Sequence, residues 1–250
     1  SQLSPEIAKM PKALQAMGKE VSVTSKLMGG DTVAATNVLT TAMNQYQVAL
    51  DDPIKASREM ARMNNVMAAA AKEGSAELPQ IAQALEQSGL AAKTAGVSFE
   101  ETNAFIQVLD KNGKKGAEGG VALRNVMATL AQGRFLPKDT KAELAAAGVN
   151  IDTLTDSSLS LSDRLKPLKG IMSDQALVTK LFGKENSNAA IAMISNTEEA
   201  NRLTEAVTGT KTAYDQADVV MQSQEERNKK FKAQMDDIKI SLFNATNGYI

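Results

Sequence analysis

Adjacent carboxylates are the side chains of this sequence best suited to acid–base or metal chemistry. They occur at Asp51-Asp52, Glu100-Glu101, Glu198-Glu199, Glu225-Glu226 and Asp236-Asp237. Neighbouring residues on a helix point about 100° apart, so such pairs diverge rather than converge on one ligand. Most of them stand at expected helix starts, where the helix dipole stabilises negative charge. A glycosidase-like site would also need an apolar pocket to raise one carboxyl, and sugar clefts rely on aromatic platforms. The chain has no Trp, and its aromatic content is 4%. His and Cys are absent, which excludes Ser-His-Asp and Cys-His nucleophiles, imidazole and thiolate metal ligands, and disulfides. No catalytic, cofactor-binding or metal-binding residue is therefore expected.

Two further clusters carry chemical interest. Four glycines between Gly113 and Gly120, with Lys114 and Lys115 among them, could cradle a phosphate or form a helix–turn–helix corner. The chain has no Gly-x-x-x-x-Gly-Lys-Ser/Thr pattern and no strand before the turn, which favours the corner. Arg124-Asn125 is a polar pair inside an apolar stretch. Arg124 is expected to tie its helix to a neighbouring carbonyl or carboxylate, with a partner contact as the alternative.

The elements that must position these residues read as helices throughout. Of the 250 residues, 43% are apolar, but the apolar set is rich in Ala and includes 12 Met. Ala, Leu, Met, Lys, Glu and Gln favour helix, so the expected fold class is all-α, a multi-helix bundle of short helices. Net charge is −1, with both signs dispersed, which leaves no footprint for nucleic acid or anionic lipid. Residues 1–20 lack the apolar core of a signal peptide. Residues 32–50 carry no charge, yet their Thr, Asn and Gln side chains argue against a membrane span.

Gly29-Gly30 closes the first region, and Asp31 caps a helix expected to run to about Leu50. Asp52 and Pro53 open the next helix, which places Met60, Met63, Val66, Met67 and Ala70 on one face and stops at Gly74. Leu78 to Ala95 forms another. Ser98 and Glu101 read as a reciprocal capping box, with Phe105, Ile106 and Leu109 as the buried stripe behind it. Leu123, Val126, Met127 and Leu130 continue beyond the glycine turn. Farther on, Lys138–Ala147 is a short helix, residues 149–151 read as briefly extended, and Ser162-Asp163 begins a helix disturbed by Pro167. Ser173 is expected to cap a helix closed by Gly183 as a left-handed residue. Helices over 186–195 and 197–207 follow. Ala213 to Ala245 contains neither Gly nor Pro, which predicts a long C-terminal helix with Glu225–Lys229 and Glu226–Lys230 pairs. Its apolar stripe runs to the last residue and no Met opens the sequence, so the chain reads as a piece of a longer protein.

Three ordered pieces of this pattern resemble a known family. They are Gly96-Val97-Ser98-Phe99-Glu100-Glu101, the glycine turn Gly113, Gly116, Gly120 leading into Leu123-Arg124-Asn125, and Leu181-Phe182-Gly183 followed by Asn186 and Ser187. Their order and spacing resemble the core module of phage tail tape-measure proteins, with the paired Gly119-Gly120 and Asn112 as small departures. The resemblance spans roughly residues 60–250. It divides the chain into an N-terminal helical region (1–95), the core module (96–209) and a helix leading onward (210–250). It implies a structural protein of a phage or prophage tail that sets tail length during assembly and is released during genome delivery. Tail-tube subunits and tail-assembly chaperones would be its partners, with self-association left open. Its place would be the virion tail, and the host cytoplasm during assembly. A helical adaptor of a secretion or adhesion system, and a cell-wall-cleaving tail module, are the alternatives.

Overall fold

The structure, a computed structural model, describes residues 11–220. Among these it is all-helical: thirteen α-helices and two 3₁₀ turns, with no strand. The described residues divide into two compact units, one of residues 11–69 and 209–220, the other of residues 70–208.

In the first unit lie α1 (Pro11–Leu27), α2 (Thr32–Gln45), α3 (Pro53–Glu73) as far as Ala69, and α13 (Thr212–Val220). Asp31 caps α2 by accepting from the Ala34 N–H at 2.8 Å. Asp52 caps α3 through the N–H groups of Ile54 and Lys55, both at 3.1 Å. Each cap satisfies amides that the first helical turn leaves without partners. The methionine face of α3 is buried as its spacing predicts, with Met60, Met63, Val66 and Met67 essentially inaccessible. Glu20 of α1 is buried beside them and accepts hydrogen bonds from Asn64 Nδ2 at 3.0 Å and from the Tyr214 hydroxyl. Burial pushes the Glu20 carboxyl above its ordinary value, against the pull of the Asn64 hydrogen bond and the Lys19 charge.

The second unit is built around α5 (Phe99–Lys111), which touches α4 (Leu78–Thr94), α6 (Gly116–Gln132), α11 (Ser187–Ser195) and α12 (Thr197–Val207). Every residue of α5 from Glu101 to Asp110 is buried. A helix hidden on all sides is normally apolar, yet this one carries Glu101, Asn103, Gln107 and Asp110. Asn103 bonds back to the Phe99 carbonyl of its own helix, while the other three hold surrounding segments. Gln107 clasps the backbone of Ala76 from both sides, accepting from its N–H at 2.7 Å and donating to its carbonyl at 3.0 Å. Asp110 accepts from the Ser75 hydroxyl at 2.7 Å. The remaining helices are α7 (Lys138–Ala146), α8 (Ile151–Thr155), α9 (Leu161–Leu165) and α10 (Gln175–Phe182).

Several boundaries differ from the sequence reading, each for a local reason. The helix expected to reach Leu50 ends at Gln45, because the Val48 N–H bonds back to Met43 O and that of Gln47 to Asn44 O. This is a Schellman closure in which Gln47, at φ 52°, occupies the left-handed position usually given to Gly. Of residues 149–151, Asn150 is extended as read (φ −83°, ψ 118°), but it serves as the cap of α8, its side chain accepting from the Asp152 N–H, and Ile151 is already helical. Asp174, not Ser173, caps α10, its carboxylate accepting from the Leu177 N–H. Ser160 caps α9 two residues before the expected start, and Pro167 then converts the continuation into a 3₁₀ turn over Lys166–Ile171. Of the long helix expected from Ala213 to Ala245, only Thr212–Val220 is described; the rest, with its Glu–Lys pairs, lies outside the described residues.

Candidate functional site

The motif pieces separated in sequence are tied together within the second unit. In the first, Gly96 turns with φ 74° against the Ser157 carbonyl, and Ser98 caps α5 by accepting from the Glu101 N–H at 3.1 Å. The Glu101 side chain takes a different course from a simple capping box. Its two oxygens reach across to α9 and accept from the N–H groups of Leu161 at 3.0 Å and Ser162 at 2.9 Å. Ser160 Oγ takes the next amide, that of Asp163, at 3.0 Å. A five-residue helix buried at its start thus has its first two amides taken by a carboxylate sixty residues away in sequence and its third by its own N-cap serine.

Arg164, on the same short helix, is 2% exposed. It donates from Nε to the Leu154 carbonyl at 2.9 Å and from Nη1 to the Ala95 carbonyl at 3.2 Å. Burial pulls the guanidinium below its ordinary value, opposed by the Glu101 and Asp156 carboxylates. Glu101 and Arg164 therefore form a two-way strap between the first motif and α9. Sequence reasoning saw the acidic residue and missed its basic counterpart. Arg164 stands between Asp163 and Leu165 with Lys166 close by, so nothing in its local sequence set it apart.

In the second motif, Gly113 ends the turn after α5 with φ 86°, and Gly116 opens α6 with φ 49°. Gly120 lies where α6 crosses α4. A Cβ there would stand 2.2 Å from the Ala84 carbonyl oxygen and 2.8 Å from its Cα. The glycine run is thus a corner that lets two helix backbones touch. Leu123 is fully buried. Arg124 is exposed and has no hydrogen bond or ion pair among the described residues, so it does not tie its helix to a neighbour as expected. Its neighbour Asn125 does the tying. Asn125 Nδ2 donates to Asn186 Oδ1 at 3.1 Å, and Asn186 Nδ2 donates to the Phe182 carbonyl at 3.2 Å. This links the second motif to the third, where Leu181 and Phe182 are buried. Gly183 closes α10 with the positive φ expected of it, 78°, but with ψ at 154° in place of a left-handed helical value.

The carboxylate pairs diverge. Asp52 caps α3 and Glu101 caps α9. Glu198 pairs with Lys169 at 2.5 Å, while Glu199 pairs with Arg202 at 2.8 Å. Arg202 also reaches Glu73 at 3.4 Å, and these carboxylates hold its guanidinium above its ordinary value. Glu73 and Glu199 of that trio line a groove of about 230 Å³ whose walls also include Ser75, Gln107, Asn112 and Asn196. Among the described residues no three acidic side chains gather in metal-binding geometry, and no helix is long and apolar enough to cross a membrane.

The described residues thus form an all-helical scaffold whose motif residues bind its own elements together. The chain matches the model of the phage-related minor tail protein family over residues 8–183, and it belongs to that family, a structural component of phage tails. It is also similar to a protein named tape measure protein from Pneumococcus phage Dp-1, at 24% identity over 205 residues. That alignment covers 78% of this chain and 17% of the relative, so the chain spans under a fifth of the relative's length. No solved structure matches the chain significantly.

Proposed function

We propose that this chain is a segment of a tape-measure protein, which lies in the growing tail tube, sets how far the tube polymerises, and leaves during genome delivery. The observation that carries this reading is the family match across residues 8–183. The name of the Dp-1 relative points the same way. Tail-tube subunits and tail-assembly chaperones are the proposed partners, met first in the host cytoplasm and then in the virion tail. Residues 96–209 act as the core module, flanked by 1–95 and 210–250. The segment works without catalysis. In support, Asp52, Glu101, Glu198 and Glu199 are engaged in caps and ion pairs of the scaffold itself.

A protein that measures length must count residues, and a helix counts about 1.5 Å for each. In a phage encoding this chain, in-frame deletion of residues 96–208 should shorten the tail by about that rise per residue removed, or more if the segment lies extended. Duplication should lengthen it correspondingly. Electron micrographs showing normal numbers of tails of unchanged length in both variants would exclude a measuring role for this segment.

A further inference from the structure

We propose that α13 is a releasable strap on the first unit, held through its first two turns by side-chain hydrogen bonds over a small apolar contact, and that this part opens while the helices beneath it stay folded. Of its side chains whose burial is described, only those of Ala213 and Ala217 are fully buried. They rest on Val23 and Ala68, with Leu27 and Tyr214 half-buried around them. Over residues 212–218 the apolar contact is thus two alanine methyl groups and one face of the Tyr214 ring, which remove little apolar surface from water.

Specific polar clasps make up the rest. Asn65 Oδ1 accepts from the Ala213 N–H at 3.1 Å, which caps the strap from a residue of α3. The Tyr214 hydroxyl donates to the Glu20 carboxylate. Lys19 Nζ sits 5.0 Å from the centre of the Tyr214 ring, in cation–π range. These attachments, together with the attraction between Asp218 and Lys26 of α1, join groups that water can solvate as soon as the strap lifts. Glu20, buried under Tyr214 with a carboxyl pushed up by that burial, gains hydration in the open form. Exchanging hydrogen bonds with water has a small net cost, whereas separating apolar faces does not. Opening of α13 therefore lies well below global unfolding in free energy. It uncovers an apolar strip formed by Val23, Leu27 and Ala68.

Hydrogen–deuterium exchange on the 250-residue protein tests this directly. In the wild type, amides 215–218 should exchange at least about 10-fold faster than the slowest amides of α1. Tyr214→Phe keeps the ring over Lys19 and removes only the hydroxyl, and Asn65→Ala removes the cap. Each should speed exchange at 215–218 by about 5- to 10-fold, the loss of one hydrogen bond, with α1 and the second unit unchanged. Wild-type exchange at 215–218 as slow as in α1 would overturn the proposal. So would variants that accelerate α1 and α13 together, because the two would then be one cooperative unit. The wild-type comparison decides the matter even if a variant fails to fold.

Discussion

Glu101 shows how one side chain can organise distant parts of a chain. It sits near the start of a helix, where a sequence pattern assigns it to local capping, and in the fold its carboxylate caps another helix. Two buried N–H groups, those of Leu161 and Ser162, depend on it. Without an acceptor, a buried amide carries a desolvation penalty of about 1–3 kcal/mol. Glu101→Ala should therefore destabilise the protein by about 2–4 kcal/mol, and Glu101→Gln, which keeps one acceptor oxygen, by about half as much. Urea titration followed by circular dichroism measures both. Equal stability of all three proteins would mean that the N–H groups find other acceptors and that α9 does not need Glu101. Arg164 belongs to the same arrangement from the other side, since its guanidinium holds Ala95 and Leu154 carbonyls.

At the level of elements, the glycine turn was legible in the sequence, and the contact that requires it was not. Helix existence followed from composition and from punctuation by Asp31, Asp52 and Gly74, because caps and stops act within a few residues. Partner choice across sixty residues is a tertiary matter: Asn125 with Asn186 and Glu101 with Leu161 leave no periodic trace. Gln47 in a left-handed position escaped for a related reason, as propensity favours Gly there and tertiary context overrode it. The glycines in turn separate into two kinds. Gly120 faces the Ala84 backbone, which cannot move aside without parting α4 from α6, whereas Gly113 faces open space at φ 86°. Gly120→Ala should thus cost about 1–3 kcal/mol or more from overpacking, and Gly113→Ala only about 1 kcal/mol from backbone strain. Thermal melts of the two variants give the order. If Gly113→Ala proves the more damaging, close approach of α4 and α6 is not what the glycine run supplies.

For the whole molecule, the composition of the core bears on how a tail segment works. Met17, Met60, Met63 and Met67 are essentially inaccessible, and alanines such as Ala35, Ala42, Ala56 and Ala70 are inaccessible as well. Methionine has flexible, polarizable side-chain geometry and fills gaps without fixing one packing. Alanine buries little area, at about 25 cal/mol per Å² of apolar surface. Cores of this kind leave small free-energy gaps between alternative packings, and a ligand or partner shifts such equilibria through modest differences in affinity. A tape-measure segment that passes from a compact bundle to a chaperone-coated and then a threaded state would benefit from those small gaps. Replacing Met63 and Met67 together by Leu keeps volume nearly constant while restricting rotamers, and volume-conserving swaps are tolerated by cores. The double variant should melt higher than the wild type, and a phage carrying it should assemble fewer tails of normal length. Differential scanning calorimetry and electron microscopy read the two halves separately. A wild-type melting temperature above about 80 °C, well beyond the range usual for mesophile domains, would remove the soft core. Normal tail number and length in a variant of raised stability would leave the core soft but unconnected to assembly.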